Sequence, residues 1–343
     1  MDTIGGFWAG AAALHGRLDL DALALAMGGW RELARCGVDD LLQAGIDLRT
    51  ARTWLTTPPL QTRGFAITRL CATYPPILRT VPDAPPVLFV EGDATALQRA
   101  AIAIVGTRRC SPYGASAAHR IAHAAASAGL AVVSGLARGI DTAAHKGALT
   151  AKGPTIAVLG HGLAHTAPPS NGRLRKAIVE GGGLLLTTWP DALPPARWTF
   201  PARNRWIAAL ARRLVVVEAP ERSGALITAE QLLELGRDED LFVLPGPLGE
   251  ETWRGSAALL AMGVQPLSTV EAFVGELVGG AQRPRETPPD WLSALFGGAS
   301  VDEAARICGR TAIEVLRTLV RLELEGEVVK LPGGRYAAGG GVP

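Results

Sequence analysis

Cysteine is scarce in this 343-residue sequence: four residues, Cys36, Cys71, Cys110 and Cys308, stand far apart. That spacing excludes the paired ligands of a zinc site and a disulfide framework, so the four read as ordinary thiols. Long hydrophobic runs are also missing. No stretch reaches the roughly 18 to 20 uninterrupted apolar residues of a membrane helix. The first 20 residues lack the basic start and continuous apolar core of a secretory signal. A soluble, cytoplasmic protein without membrane contact is the expectation. Acidic residues, in turn, are nearly absent from the middle of the chain. Residues 104–213 hold 3 Asp/Glu against 14 Lys/Arg, a net of +11, whereas residues 1–103 carry −1 and residues 214–343 carry −8. The whole-chain charge of +2 conceals this block. Such a concentration of one sign focuses a field that attracts polyanions.

What is present alternates. Residues 18–80 hold short helical patterns such as LDLDALALAM and GVDDLLQAG, punctuated by Gly37 and Gly45, so residues 1–80 are expected to form a small SAM-like or helix-hairpin-helix-like module. Pro82, Pro85 and Pro86 then break the chain before an apolar strand at 87–90. From residue 101, runs of Val, Ile and Leu alternate with Ala-rich helical stretches. Strands are expected at 101–105, 131–134, 155–159, 183–187, 214–217 and 241–244. Helices are expected at 113–128, 141–150, 172–180, 203–211 and 225–235. This is the signature of an α/β fold, an extended Rossmann-like doubly wound parallel sheet, over 81–280. QRPRETPPD, residues 282–290, follows, and 281–290 reads as a linker. Over 291–343, Ser300 with Glu303 and Thr311 with Glu314 form two capping boxes, and EVVKLPGGRYAA reads as a hairpin. Helix, helix and hairpin predict a winged-helix-like domain. With 6 basic and 7 acidic residues from Asp290 onward, it is better suited to a protein partner or regulation than to strong DNA binding.

In an open parallel sheet the ligand lies beyond the carboxyl ends of the strands, and the informative residues fall there. Gly106, Thr107 and Arg108 open the first turn, where backbone N–H groups and a guanidinium suit a phosphate. Ser134, Gly135, Leu136, Arg138 and Gly139 make the next loop, followed by Asp141, His145 and Lys146. Asp141 reads as a helix cap or the partner of a base, His145 as structural or a hydrogen-bond donor, and Lys146 as a phosphate contact. Arg203, Asn204 and Arg205 follow Pro201, while Phe200, Trp198 and Trp206 either stack on bases or pack in the core. Ser223 and Gly224 form a fourth small-residue turn. No residue set calls for a metal or a cofactor.

These loops resemble one family. IVGTRRCSPYG, VSGLARGIDTAAHKGAL, FPARNR and VVVEAPERSGALITAE, in that order and with TYPPILRTVPDAPPVLFVEGD before them, are similar to the DprA/Smf proteins, or DNA processing protein A. The resemblance implies single-stranded DNA binding, dimerisation, and loading of RecA recombinase onto incoming DNA in natural transformation. It places DNA contacts at the 106–108 turn, the 134–139 loop, Lys146 and the 203–205 cluster. The chain departs from the family pattern where GHGLAHTAPPSN keeps Pro168 and Asn171 but has Ala167 in place of a tyrosine, and where Thr187 and Thr188 replace Ser-Glu. The rival reading is a Rossmann-type nucleotide phosphoribohydrolase, whose PGGxGTxxE loop carries a catalytic glutamate. Here the corresponding ERSGALITAEQ has Gln231 three residues after Thr228. A dinucleotide oxidoreductase is a weaker reading still, because the first turn lacks G-x-G-x-x-G and no convincing ribose-binding acid follows it.

Overall fold

The structure, a computed structural model, describes residues 2–280, 299–308, 311, 312, 315, 316, 319, 328–331 and 335–338. It divides into two compact units, Met1–Val278 and Gly279–Pro343.

The first unit begins with β1 (Asp2–Ile4), five short helices, α1 (Gly6–Leu14), α2 (Leu20–Ala26), α3 (Trp30–Leu33), α4 (Val38–Gln43) and α5 (Leu48–Leu55), and β2 (Leu60–Thr62), antiparallel to β1. Asp19 and Asp47 start α2 and α5 by accepting the N–H groups of Ala22 and Thr50 at 2.9 and 3.0 Å. Leu20, Leu33, Leu41 and Trp54 bury together as the core of this region.

The elements that follow are β3 (Phe65–Thr68), α6 (Pro76–Arg79), β4 (Val87–Gly92), β5 (Ala101–Val105), α7 (Pro112–Ser127), β6 (Ala131–Ser134), α8 (Ile140–Thr150), β7 (Thr155–Val158), α9 (Gly172–Glu180), β8 (Leu184–Thr187), α10 (Thr199–Leu210), β9 (Arg213–Val216), α11 (Gly224–Glu234), β10 (Leu241–Val243), α12 (Arg254–Ala261), β11 (Gln265–Pro266) and α13 (Val270–Gly280). One nine-stranded sheet runs in the order β11-β10-β9-β5-β6-β7-β8-β4-β3. It is parallel from β11 to β8 and antiparallel at β4 and β3. Alternation along β5 shows how it is covered. Ile102 and Ile104 pack with Ile121 and Ala144 on one face, and Ala103 and Val105 with Ile207 and Ala229 on the other.

The expected doubly wound sheet is therefore present. The helix at 203–211 starts earlier than the sequence indicates, at Thr199, because Pro201 lies in its first turn, where a missing N–H costs nothing. β3 and β11 are too short for their pattern to stand out, and β3 joins the sheet from within the stretch expected to be a helical module.

The second unit holds β12 (Ala299–Ser300), α14 (Val301–Cys308), β13 (Val328–Leu331) and β14 (Arg335–Ala338), with β14 pairing antiparallel to both other strands. Ser300 and Glu303 form the expected reciprocal box: Glu303 N–H donates to Ser300 Oγ at 3.2 Å, and Ser300 N–H to Glu303 Oε2 at 2.8 Å. Glu314, the 281–290 linker and the hairpin turn at 332–334 lie outside the described residues.

Candidate nucleic-acid interface

The order of strands reverses between β5 and β9: after β5 the chain moves to β6 on one side, and after β9 to β10 on the other. A crevice opens beyond the carboxyl ends at such a point. Here it is a cleft of about 630 Å³ whose walls include Gly106, Thr107, Arg108, Phe200, Arg203, Asn204, Ser223 and Gly224. Half of the residues expected at the site thus come together. Ser134, Gly135, Leu136, Arg138, Gly139, Lys146, Asn171 and Arg205 lie outside its lining.

Part of the first turn's backbone is committed internally. Thr107 N–H donates to Glu218 O at 2.7 Å, Arg109 N–H to Thr107 Oγ1 at 3.3 Å, and Thr107 O accepts Ile140 N–H at 3.2 Å. Glu218 is fully buried beside the start of α7, where its carboxylate accepts Ser111 N–H at 2.9 Å and Ser111 Oγ–H at 2.8 Å. Gly114 is required here, because a Cβ would collide with Glu218 Oε2. The N-terminus of the first helix is where dinucleotide-binding folds place phosphate; in this chain a carboxylate of its own fills that place. Of the backbone N–H groups expected to cradle an anion, those of Thr107, Arg109 and Ser111 are spent internally. What the turn offers an anion is the guanidinium groups of Arg108 and Arg109, both exposed, with Arg108 5.5 Å above the Phe200 ring.

The 134–139 loop is held by internal hydrogen bonds. Ser134 Oγ–H donates to Ile104 O at 2.7 Å, and Asp141 Oδ2 accepts the N–H groups of Gly135 and Ala137 at 3.1 and 3.3 Å. Leu136 holds a left-handed φ of 55°. Its N–H donates to His145 Nε2 at 3.3 Å. Because the Thr155 hydroxyl donates to Val132 O at 2.8 Å, His145 Nδ1 carries the hydrogen in its 2.8 Å contact with Thr155, leaving Nε2 as the acceptor. Burial pulls His145 down to about 3, so the ring is neutral. Asn171 Nδ2 clamps the loop by donating to Leu136 O at 2.9 Å, Ala137 O at 3.2 Å and Thr142 Oγ1 at 2.9 Å. Gly139, at φ 74°, precedes α8 and lies so close to Thr107 O that no Cβ fits. Arg138 and Lys146 are exposed.

Beneath the cleft, Arg203 is 4% exposed; Nη1 donates to Val158 O at 2.7 Å while Nε has no partner. Burial lowers it to about 10, against the pull of Asp141, so it keeps its charge at neutral pH. Burial also raises Asp141, against Arg203 and the loop N–H groups. Gly135 leaves room for this guanidinium. Asn204 Nδ2 ties α10 to α11 through Gly224 O at 3.0 Å, and Ser223 Oγ caps α11 by accepting Ala225 N–H at 3.2 Å. Arg205 turns away: its Nη2 donates to Pro82 O at 3.2 Å, and Nη1 lies 4.0 Å from Glu234. Of the three aromatics, Trp206 packs in the core, Phe200 lines the cleft and Trp198 is 60% exposed.

Arg109, Arg197 and Arg222, absent from the expected site, are exposed and line the cleft. Each lies next to, or within two positions of, a residue that the motifs single out, and that proximity is the available signal. Burial and the Glu218 charge raise the Cys110 thiol, which disfavours the thiolate. Among the described residues no three His, Cys, Asp or Glu side chains gather as metal ligands, and no helix is long and apolar enough to cross a membrane.

A doubly wound sheet with an arginine-lined cleft at its switch point defines an extended Rossmann-like protein. Residues 66–278 match the family described as DNA recombination-mediator protein A, and residues 296–334 match the DprA winged helix domain. The chain belongs to this DprA/Smf family. It is 35% identical to Protein Smf of Escherichia coli, over 86% of this chain and 85% of that one. It is 38% identical to DNA processing protein DprA of Bacillus subtilis, over 60% of this chain and 68% of that one. Among solved structures it is similar to DNA processing protein A of Streptococcus pneumoniae, with a TM-score of 0.68 and 31% identity over 80% of this chain and 98% of that one. The corresponding Helicobacter pylori protein, described by its single-stranded DNA binding mode, gives a TM-score of 0.57 and 28% identity over 64% of this chain and 99% of that one.

Proposed function

We propose that the switch-point cleft binds single-stranded DNA through its phosphates, without catalysis. On this reading the chain protects incoming DNA and loads RecA recombinase onto it during natural transformation, as a cytoplasmic homodimer. The observation that carries the DNA reading is the ring of exposed guanidinium groups, Arg108, Arg109, Arg197 and Arg222, on a cleft whose neighbouring phosphate place is filled by Glu218. Cations on an open rim suit a continuous backbone rather than one enclosed nucleotide. The Helicobacter relative's single-stranded DNA binding supports the same choice, and the RecA and dimer parts rest on family membership.

The hydrolase reading draws little support from the acids near this cleft. Glu230 and Glu234 are not part of the cleft lining, and Gln231 bonds outward to Glu234 at 2.8 Å. Asp141, the carboxylate at the cleft, already accepts two loop N–H groups.

The test is a salt titration of oligonucleotide binding by fluorescence anisotropy. Replacing Arg108 and Arg222 with Ala is expected to weaken binding to every sequence alike and to flatten the log–log salt slope by about 0.7 for each phosphate no longer neutralised. Unchanged affinity and slope would reject the cleft as the DNA site.

A further inference from the structure

We propose that Trp198, braced by Trp189, is a stacking platform for a base of the single strand where it leaves the cleft; this rests on the cleft being the strand-binding site. Trp198 keeps 60% of its surface in water, although the loop that carries it is tightly held. Asp191 accepts Thr62 Oγ1–H at 2.9 Å and Arg63 N–H at 2.6 Å, and Leu193 O accepts Gly162 N–H at 2.9 Å. Immediately after Trp198, buried Thr199 donates its hydroxyl to Gly160 O at 2.5 Å and accepts Ala196 N–H at 3.2 Å. The indole is therefore presented, not left on a loose tip. Trp189 meets it at 6.1 Å and 87°, an edge-to-face arrangement that fixes the plane of the ring.

The occupant follows from the neighbours. Trp198 lies in sequence between Arg197 and Phe200, both part of the cleft wall, so a strand passing Arg197 reaches it next. Phe200 is the aromatic within the cleft, but Arg108 covers its ring at 5.5 Å, a cation–π contact that leaves less of that ring for a base. The open face is the indole outside. An exposed guanidinium beside an exposed two-ring aromatic, within the +11 block, fits a phosphate followed by an unstacked base. A protein partner would gain little from that density of positive charge.

The experiment measures anisotropy with oligothymidylates of increasing length, and with the same strands carrying one abasic site at successive positions. Trp198→Ala is expected to bind the longer strands about tenfold more weakly while leaving the shortest bound strand unaffected, and Trp198→Phe to recover most of the loss. At one position the abasic site is expected to weaken the wild type but not Trp198→Ala. Equal binding of Trp198→Ala and wild type at all lengths would overturn the proposal. So would wild-type binding that ignores the abasic site everywhere, or a Trp198→Ala effect confined to oligomeric state in sedimentation. The Arg108→Ala, Arg222→Ala protein separates the two levels. If it loses affinity and Trp198→Ala does not, the platform alone fails; if it also keeps full affinity, the cleft reading fails.

Discussion

Two groups of polar residues meet at the carboxyl edge of the sheet, and their surroundings give them opposite work. Asp141, His145, Asn171 and Arg203 are buried, and each makes at least one hydrogen bond to the backbone around it. Arg108, Arg109, Arg197 and Arg222 are exposed around the same cleft. The buried set resembles an active site in residue type: an acid, an imidazole, an amide and a cation. Yet burial holds the imidazole neutral at pH 7, and both its nitrogens are bonded within the fold. The buried set shapes the loops so that the exposed set is held over the cleft. On the proposed reading the buried groups serve as scaffolding and the exposed arginines supply the contacts.

The most severe way to break this division is through the scaffold. Gly139→Ala puts a Cβ against the Thr107 carbonyl oxygen and the Arg108 backbone, at a φ of 74° that side chains avoid. Backbone atoms cannot yield as a flexible side chain would. The expected cost is about 3 kcal/mol in urea unfolding, together with loss of oligonucleotide binding as the Arg108 turn shifts. Gly224→Ala, on the rim with nothing within 4 Å, is the control and should change stability by less than about 0.5 kcal/mol. Equal effects of the two substitutions would erase the distinction between scaffold and rim.

A second test uses pH. His145 has a folded value of about 3 against 6.5 for the free side chain, so the unfolded chain binds a proton that the folded chain refuses. Its contribution is complete above pH 6.5 and falls as the pH drops from there toward 3, by up to about 1.4 kcal/mol per unit. Asp141, raised by burial, acts in the opposite sense: its contribution is fullest below 3.8 and is lost as the pH rises through the raised folded value. His145→Gln should flatten the acid limb of unfolding free energy against pH. An unchanged limb would mean that His145 is not held neutral.

Much of this edge was legible in the sequence because strands buried on both faces leave short Val, Ile and Leu runs, and the loops between them carry glycines whose need is local. The remainder depends on neighbours far along the chain. Nothing near Glu218 in sequence announces that its carboxylate will close the start of α7; that follows from β9 lying beside β5, which brings residues 107 apart into contact. Asn171 is engaged through Nδ2 with the 134–139 loop, 35 residues away. The acidic C-terminal stretch was visible as charge, but charge alone says nothing about which edge of the sheet faces a ligand.

The Arg203–Arg205 pair sharpens the comparison with the smallest expected effect. Two positions along a helix are separated by about 200° of rotation, so adjacent-looking arginines on α10 face opposite ways. Arg203 points under the cleft, whereas Arg205 reaches Pro82 O and the neighbourhood of Glu234. A partly exposed ion pair at 4.0 Å contributes less than about 1 kcal/mol. Arg205→Ala is therefore expected to keep oligonucleotide affinity within about twofold, with the salt slope of the wild type, because the same phosphates stay neutralised. If it instead flattened the slope as much as Arg108→Ala does, DNA would have to run along both sides of α10. The cleft would then be one segment of a longer track rather than the whole of it.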